Sequence, residues 1–219
     1  MFAGEAYNVE MGVTNELFPI SKTEDETCNL GAEPNDVTRV DGDKFDDPRE
    51  LMADWMMFSL FTRFLDAPQP AALTAAAHRG ERLFEEVGCS ECHVPSMNTR
   101  PAPLGPLSPA LAGKTAMLFS DLLVHHMGAN LADNVIQGDA GPDMFRTAPL
   151  WGVGQRLFFL HDGRTSDLQS AIRAHFSLPA PAHGRDPAYP ASEANQVVID
   201  YFRLQPGQQQ DVLEFLRSL

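Results

Sequence analysis

Apolar residues recur at the spacing of an α-helix in four parts of the chain, and each recurrence predicts a helix that buries one face. The predicted helices cover 48–65, 71–87, a segment that begins after Asp167, and 207–219. The pattern therefore predicts a mostly α fold.

The first predicted helix has a marked beginning and end. Asp47 suits the N-cap and Pro48 suits the first turn, whereas Pro68 and Pro70 stop the helix. Its apolar residues cover more than one face, which predicts burial on two sides.

Gly80 lies in the middle of the second predicted helix, where glycine costs stability relative to alanine. A close crossing by another helix explains its presence, because a glycine lets two backbones approach. The terminal helix is the predicted partner, since Val212, Phe215 and Leu216 share one of its faces.

Residues 1–46 show no sustained helical or strand period, and they are rich in Asn, Asp, Glu, Gly and Thr. They predict an extended N-terminal arm, 1–46, before a domain of residues 47–219. The apolar residues between Phe2 and Ile20 need a surface to pack on, although a disordered tail is the alternative. Cys28 lies in this arm as an unpaired thiol, or its partner lies outside the chain.

Charge narrows the range of partners for this 219-residue chain. Acidic residues outnumber basic residues by 30 to 16, and the formal net charge is −14. Such a surface repels phosphate backbones and anionic lipids, so we expect no nucleic-acid partner. It favours a redox or other partner protein with a basic docking face. No apolar run is long enough for a membrane span, and no secretion signal is visible.

The segment Cys89-Ser90-Glu91-Cys92-His93 has the spacing of a covalent attachment site for haem c. Two thiols at this spacing can each add to a vinyl group of one porphyrin, and the adjoining histidine can bind the iron. A redox dithiol would not need the histidine, and a zinc site would need a second pair of ligands. The motif predicts one covalent haem, with His93 as the proximal iron ligand.

Covalent haem attachment takes place outside the bacterial cytoplasm. The motif therefore predicts a periplasmic or extracellular bacterial protein. Because no leader is visible, we expect the chain to be a mature or incomplete product. A single haem site predicts single-electron transfer and leaves enzymatic activity open.

Several longer segments resemble one protein family: GERLFEEVGCSECHVP, SDLLVHHMGANLAD, FRTAPLWGVGQRLFFLHDGRTSDLQSAIRAH and the closing FLRSL. They are similar to the C-terminal haem domain of the di-haem oxidoreductases, which are thiol-oxidoreductase-like proteins. These are relatives of bacterial di-haem cytochrome c peroxidases and of the tryptophan-tryptophylquinone maturases. A helix with Gly80 and Phe84 paired with a terminal helix also resembles the framework of class I cytochromes c.

Family members carry a second, N-terminal haem domain in which peroxide or substrate chemistry takes place. This chain has one CxxCH motif, so the resemblance implies the half that stores and relays an electron. In an alternative, the chain is the relay part of an enzyme whose catalytic haem domain lies on another haem-bearing chain or is missing. A structural subunit that uses the haem domain for assembly is a third interpretation.

The resemblance also implies a distal iron ligand. In the peroxidase relatives this ligand ends the helix after the HDG turn, and the matching residue after Gly163 is His175. Two histidines would make a six-coordinate, low-spin iron. An ordinary histidine at a helix C-terminus is the alternative. Met127, in a segment similar to the family's HDMG, is the second candidate ligand, ahead of Met144, although packing against the porphyrin is its preferred role.

Other residues are expected near the haem. Trp151 is expected to pack on it before serving as an electron relay. His125 and His126 are adjacent, so they cannot both face one haem, and His161 suits a turn or a propionate contact. Three arginines could neutralise a propionate by paired hydrogen bonds, with a solvated side chain as the alternative: Arg146, Arg156 and Arg164.

Overall fold

The computed structural model describes residues 2–20, 34–37, 52–101, 109–184 and 187–219. These residues form a mostly helical fold, as the sequence predicts. Its helices are α1 (Phe2–Met11), α2 (Asp54–Arg63), α3 (Ala75–Glu86), α4 (Leu168–Ala174), α5 (Asn195–Arg203) and α6 (Pro206–Ser218). Within these ranges, no helix has the length and apolar character needed to cross a membrane.

The chain divides into two compact units, Met1–Asp66 and Ala67–Leu219. The sequence places a boundary between residues 46 and 47, which lies inside the first unit. Asp47 and Cys28 both lie outside the described residues. The haem-attachment motif belongs to the second unit.

Helix α1 occupies part of the segment for which the sequence predicts an extended arm, so that prediction is wrong for Phe2–Met11. The apolar residues of α1 do not follow a helical period, and the pattern gives no sign of the helix. Polar contacts help to hold it in place. The Asn15 amide donates to the carbonyl of Gly4 at 2.8 Å, and the Asn8 amide donates to the carbonyl of Ile20 at 3.0 Å.

Helix α2 is shorter than the predicted 48–65 helix, of which residues 48–51 lie outside the described ranges. Its N-terminus is capped by a residue distant in sequence. The Asp36 carboxylate accepts from the backbone N–H groups of Asp54 and Trp55, both at 2.9 Å. A carboxylate at this position also interacts favourably with the helix dipole.

Among the described residues of its unit, one face of α2 is covered. Trp55 is buried, and its indole N–H donates to Glu16 at 3.3 Å. Phe58 and Phe61 are exposed, which contradicts the predicted burial on two sides. The reason is that α1 is the helix that packs on α2 in this unit, so a second covering layer is missing from its described residues.

Helices α3 and α6 cross closely and form the core of the second unit. The predicted passage of the terminal helix at Gly80 is confirmed. A Cβ atom on Gly80 would overlap the backbone carbonyl of Asp211 and would lie 2.9 Å from Cβ of Phe215. Phe215 is 1% exposed, and its ring meets Phe84 and Phe119 edge-on at centroid distances of 5.4 and 5.8 Å.

The C-terminal end of α6 is approached by a second glycine. A Cβ atom on Gly154 would overlap the backbone carbonyl of Arg217. Nearby, the Gly152 N–H donates to the carbonyl of Leu219 at 2.6 Å. These backbone contacts fix both the middle and the end of α6.

Side-chain caps set the starts of two helices. The Thr74 hydroxyl accepts from the N–H of Ala77 at 3.1 Å, so α3 begins later than the predicted residue 71. The Asp167 carboxylate accepts from the N–H of Ser170 at 2.7 Å, which confirms the predicted cap of α4. Helix α5 has no side-chain cap and was not predicted.

Four short strands form two antiparallel pairs. Met97–Asn98 (β1) pairs with Thr115–Ala116 (β2), and Val124–His126 (β3) pairs with Met144–Arg146 (β4). The sequence predicts irregular structure over 94–109, of which 102–108 lie outside the described ranges, and β1 is an exception to it.

Candidate functional site

The Cys89–His93 motif follows α3 directly. Gly88 adopts a left-handed φ of 91°, and Cys89–Glu91 form a single turn of 3-10 helix. Glycine is common at such helix ends because it reaches this conformation without a steric penalty. The resulting reversal packs Cys89 against the α3–α6 core. Burial also raises the pKa of the Cys89 thiol to about 12.

The thiol environment disfavours a redox dithiol, one of the alternatives to haem attachment. Burial raises the pKa of Cys92 as well, and the charge of Asp121 adds to this effect. A reactive redox dithiol depends on a lowered thiol pKa. Both thiols of the motif are therefore protonated at neutral pH.

A backbone carbonyl orients His93. Its Nδ1 lies 3.0 Å from the carbonyl oxygen of Phe119. A carbonyl oxygen can only accept, so Nδ1 carries the proton and Nε2 keeps a lone pair. Phe119 has a left-handed φ of 52°, which costs a bulky residue about 1–2 kcal/mol. Packing of its ring against Phe84 and Phe215 holds it in this conformation.

His175 occupies the C-cap of α4, where the sequence places it. Its Nδ1 lies 2.8 Å from the carbonyl oxygen of Ala171, so its Nε2 also keeps a lone pair. Burial lowers the pKa of His175. Burial also lowers the pKa of His93 to about 4, against the hydrogen bond to Phe119, and the charge of His175 acts in the same direction.

This donor set fits a covalently attached haem iron. A haem c needs two thiols and an adjoining imidazole, and iron needs neutral imidazole nitrogens. Histidine ligands of metals usually donate their other N–H to a carbonyl or carboxylate, as His93 and His175 both do. Cys89, Cys92, His93 and His175 are therefore the residues that could hold the cofactor.

The competing sulfur ligands lie at the β3–β4 pair. Met127 is buried directly after β3, and its N–H donates to the carbonyl of Asp143 at 2.8 Å. Met144 begins β4 and pairs with His126. Burial of Met127 suits packing and ligation equally, so its role stays a prediction.

His125 lies between two carboxylates beside the attachment motif. Its Nδ1 is 2.8 Å from Oε2 of Glu193, and its Nε2 is 2.9 Å from Oδ2 of Asp121. The hydrogen bond to Glu193 raises the pKa of His125 and lowers the pKa of Glu193. Cys92, Asp121 and His125 bring potential metal-ligating atoms within 4.8 Å of one another. Because both nitrogens already contact carboxylates, an imidazolium ion suits this arrangement better than a metal ligand.

The other two candidate histidines have separate partners. The side chain of His126 directs its Nδ1 to Asp143 at 2.9 Å, and its backbone N–H donates to Oε1 of Glu193 at 2.9 Å. That the two adjacent histidines cannot both face one haem stays a prediction. The His161 ring stacks on Phe145 at a centroid distance of 4.5 Å, and its Nε2 lies 3.9 Å from Asp133.

The candidate arginines are exposed in the structure. Arg164 contacts the Asp162 carboxylate and donates to the carbonyl of Asn130 at 2.7 Å, so its guanidinium is already engaged. A propionate would have to compete with these partners. Propionate contacts stay predictions, as does haem packing by the half-buried Trp151. The remaining candidates are Arg146 on β4 and Arg156 after the turn Val153–Gln155.

Sequence reasoning missed the groups that orient the histidines. Asp121 lies four positions before His125, and this spacing between opposite charges could have been noticed. Glu193 and the carbonyl of Phe119 have no such local signal, because they approach from distant parts of the chain. A backbone carbonyl in particular carries no residue preference that a sequence could display.

Two solved structures match the chain. Hydrazine synthase of Kuenenia stuttgartiensis, pressurized with 20 bar xenon, is 20% identical with a TM-score of 0.44, and the match covers 79% of this chain and 56% of that chain. A MauG-like protein associated with microbial copper homeostasis is 18% identical with a TM-score of 0.38, covering 78% and 49%. The chain thus spans about half the length of these structures. Curated proteins give no match.

A family model also matches the chain. Its description is "Di-haem oxidoreductase, putative peroxidase", and the match extends over residues 4–186. The matched region contains the two motif thiols and both half-buried histidines, His93 and His175. The family name implies haem, iron and redox chemistry. Because the match covers most of its length, the chain belongs to the di-haem oxidoreductase family.

Proposed function

We propose that this chain is a c-type cytochrome domain with one covalent haem and that it transfers single electrons. The observation that carries the proposal is the motif Cys89–His93 together with two half-buried imidazoles, His93 and His175, whose Nδ1 atoms both face backbone carbonyls. When bound, a haem supplies a one-electron couple between ferric and ferrous iron.

Each residue of the site has a stated role in the proposal. Cys89 and Cys92 would hold the haem through thioether bonds, and His93 and His175 would bind its iron. The carbonyls of Phe119 and Ala171 fix the imidazole tautomers and leave Nε2 for the iron. Two histidines on the iron would leave no vacant position for peroxide, which would favour electron transfer over peroxide chemistry.

The proposal includes a haem domain of the class I cytochrome c type, equivalent to the C-terminal haem domain of the family. Support comes from the crossing of α3 and α6 at Gly80, directly before the attachment motif. The rings of Phe84, Phe119 and Phe215 join that crossing to the carbonyl that orients His93. A change in the distance between α3 and α6 should therefore alter the orientation of His93.

A redox partner and a location complete the proposal. The net charge of −14 favours a partner with a basic face, and docking should weaken as salt screens these charges. Covalent haem attachment supports a periplasmic or extracellular location.

A second candidate function is supported by the family match. The family is di-haem, this sequence has one CxxCH motif, and the chain spans about half the length of the solved structures it matches. The chain would then be the electron-relay part of a di-haem enzyme whose catalytic haem lies elsewhere. Mass analysis of the purified native assembly separates the two, because a second haem-bearing chain supports the enzyme.

Replacement of the distal ligand tests the main proposal. His175→Ala should open the sixth coordination position, so the ferric spectrum should change from low-spin to high-spin or water-bound. Met127→Ala is the matched control and should leave the ligand spectrum nearly unchanged. His175→Met should restore six-coordination at a higher reduction potential, because a thioether favours ferrous iron.

One result would contradict the assignment of His175. It is a sulfur-to-iron charge-transfer band in the wild-type ferric protein that disappears in Met127→Ala or Met144→Ala and survives in His175→Ala. Such a band would identify a methionine as the distal ligand. The electron-transfer proposal would then stand with a different axial residue.

A further inference from the structure

A pocket of about 460 Å³ lies between α4, α5 and the segment around Asn130. Its volume is within the range of small-molecule sites, about 300–1,000 Å³. The floor is apolar: Val198 is buried, and Phe176, Ile199 and Phe202 are half-buried. The site uses none of the residues proposed to hold the haem.

Two guanidinium groups border this apolar floor. The guanidinium carbon of Arg173 lies 4.5 Å from the centre of the Phe202 ring. This cation–π contact holds the side chain over the pocket and still leaves its N–H groups able to donate. Arg203 stands at the rim with its Nη1 3.0 Å from Asp200. Among the described residues, Arg173 has no carboxylate oxygen within 4.0 Å, so its charge is the less neutralised of the two.

Hydrogen bonds hold the backbone at and next to Phe176, on one side of the pocket. The Asn130 amide donates to the carbonyl of Phe176 at 2.7 Å. The Asn195 amide oxygen accepts from the N–H of Ser177, and its NH₂ group donates to the carbonyl of Ser177, both at 2.8 Å. A preformed site loses less entropy when a ligand binds.

We propose that this pocket binds an organic anion with a flat apolar body, of the aromatic carboxylate or sulfonate class. The planar guanidinium of Arg173 can pair with two oxygens of such a head group. The ring of the ligand would cover Ile199 and Phe202. Since a chain with a net charge of −14 repels anions in general, the two local arginines are required for binding. The proposal does not depend on the electron-transfer function.

Isothermal titration calorimetry of the haem-loaded full chain tests the proposal with three probes. Naphthalene-2-sulfonate has the ring and the charge, naphthalene-2-methanol has the ring alone, and methanesulfonate has the charge alone. We expect saturable binding of the first, at least tenfold weaker binding of the second, and no measurable binding of the third. Added salt should weaken binding of the sulfonate.

Two arginine variants locate the site. Arg173→Gln should weaken naphthalene-2-sulfonate binding at least tenfold. The matched control is Arg217→Gln, because Arg217 is an exposed arginine of α6 that does not line the pocket, and it should bind as the wild type does. Both positions are exposed, so circular dichroism should show folded variants. The proposal is overturned if the wild type shows no saturable binding, if the neutral probe binds as tightly, or if both variants lose affinity equally.

Discussion

Replacing Gly80 with alanine tests whether the crossing of α3 and α6 is as close as the structure shows. The substitution adds one methyl group and leaves the ordinary helical conformation of residue 80 unchanged. In an open helix it would stabilise the protein by about 1 kcal/mol, because alanine is the better helix former. At this crossing we expect the opposite sign.

The magnitude follows from what the new methyl group meets. It would overlap the carbonyl of Asp211 and lie 2.9 Å from Cβ of Phe215, whereas non-bonded carbon atoms prefer about 3.5–4.0 Å. The first obstacle is backbone, so a rotamer change cannot relieve it and the helices must separate. Overpacking of a core costs about 1–3 kcal/mol, and we expect the upper end. After the gain in helix propensity, a net loss of about 2 kcal/mol remains.

Urea unfolding, followed by circular dichroism and by haem absorbance, measures this loss. The matched control is Gly207→Ala in α6, where an added Cβ meets no atom within 4 Å, so it should be neutral or slightly stabilising. A loss of about 2 kcal/mol corresponds to a Tm lowered by about 4–8 °C for a chain of this size. If Gly80→Ala matched Gly207→Ala in stability, the close crossing would be wrong.

Three further predictions concern stability. Phe215→Ala should cost about 3–5 kcal/mol in urea unfolding because it removes a buried aromatic ring, and a loss below about 1 kcal/mol would place Phe215 outside the core. Asp36→Ala should cost about 0.5–2 kcal/mol through loss of the α2 cap, and an unchanged unfolding midpoint would contradict the capping role. The raised pKa of His125 gives stability that is complete below its ordinary pKa and lost as pH rises through the folded value. The lowered pKa of Glu193 gives stability that is complete above its ordinary pKa and lost as pH falls through the folded value. His125→Gln should therefore flatten the stability profile on both sides of about pH 4.5–6.5, and an unaltered profile would refute this linkage.

Elements whose cause lies in their own sequence were predictable. The apolar period and Gly80 together indicated the α3–α6 crossing, and Asp167 marked the start of the helix that ends at His175. In each case the deciding residues lie inside or next to the element. The local sequence is then sufficient to predict the element.

Elements held by distant residues were not predictable. Helix α1 depends on amides of Asn8 and Asn15 that reach other parts of the first unit, and α2 is capped by Asp36, 18 residues before its first helical position. In the candidate site, the motif predicted the two thiols and His93 as haem-binding residues from the sequence alone. The carbonyl of Phe119 that selects the tautomer of His93 became apparent only from the fold.

The two glycines that contact α6, Gly80 and Gly154, also limit which second-site substitutions can compensate for their replacement. Gly80 and Gly154 each face a backbone carbonyl, at positions 211 and 217, and every amino acid supplies that same atom. A second substitution at residue 211 therefore could not make room for a side chain at Gly80, and one at residue 217 could not make room for a side chain at Gly154. A genetic screen for suppressors of Gly80→Ala should return changes that shift the helix as a whole, and none that act by shrinking residue 211. Related sequences should keep both glycines while the identities of residues 211 and 217 vary freely.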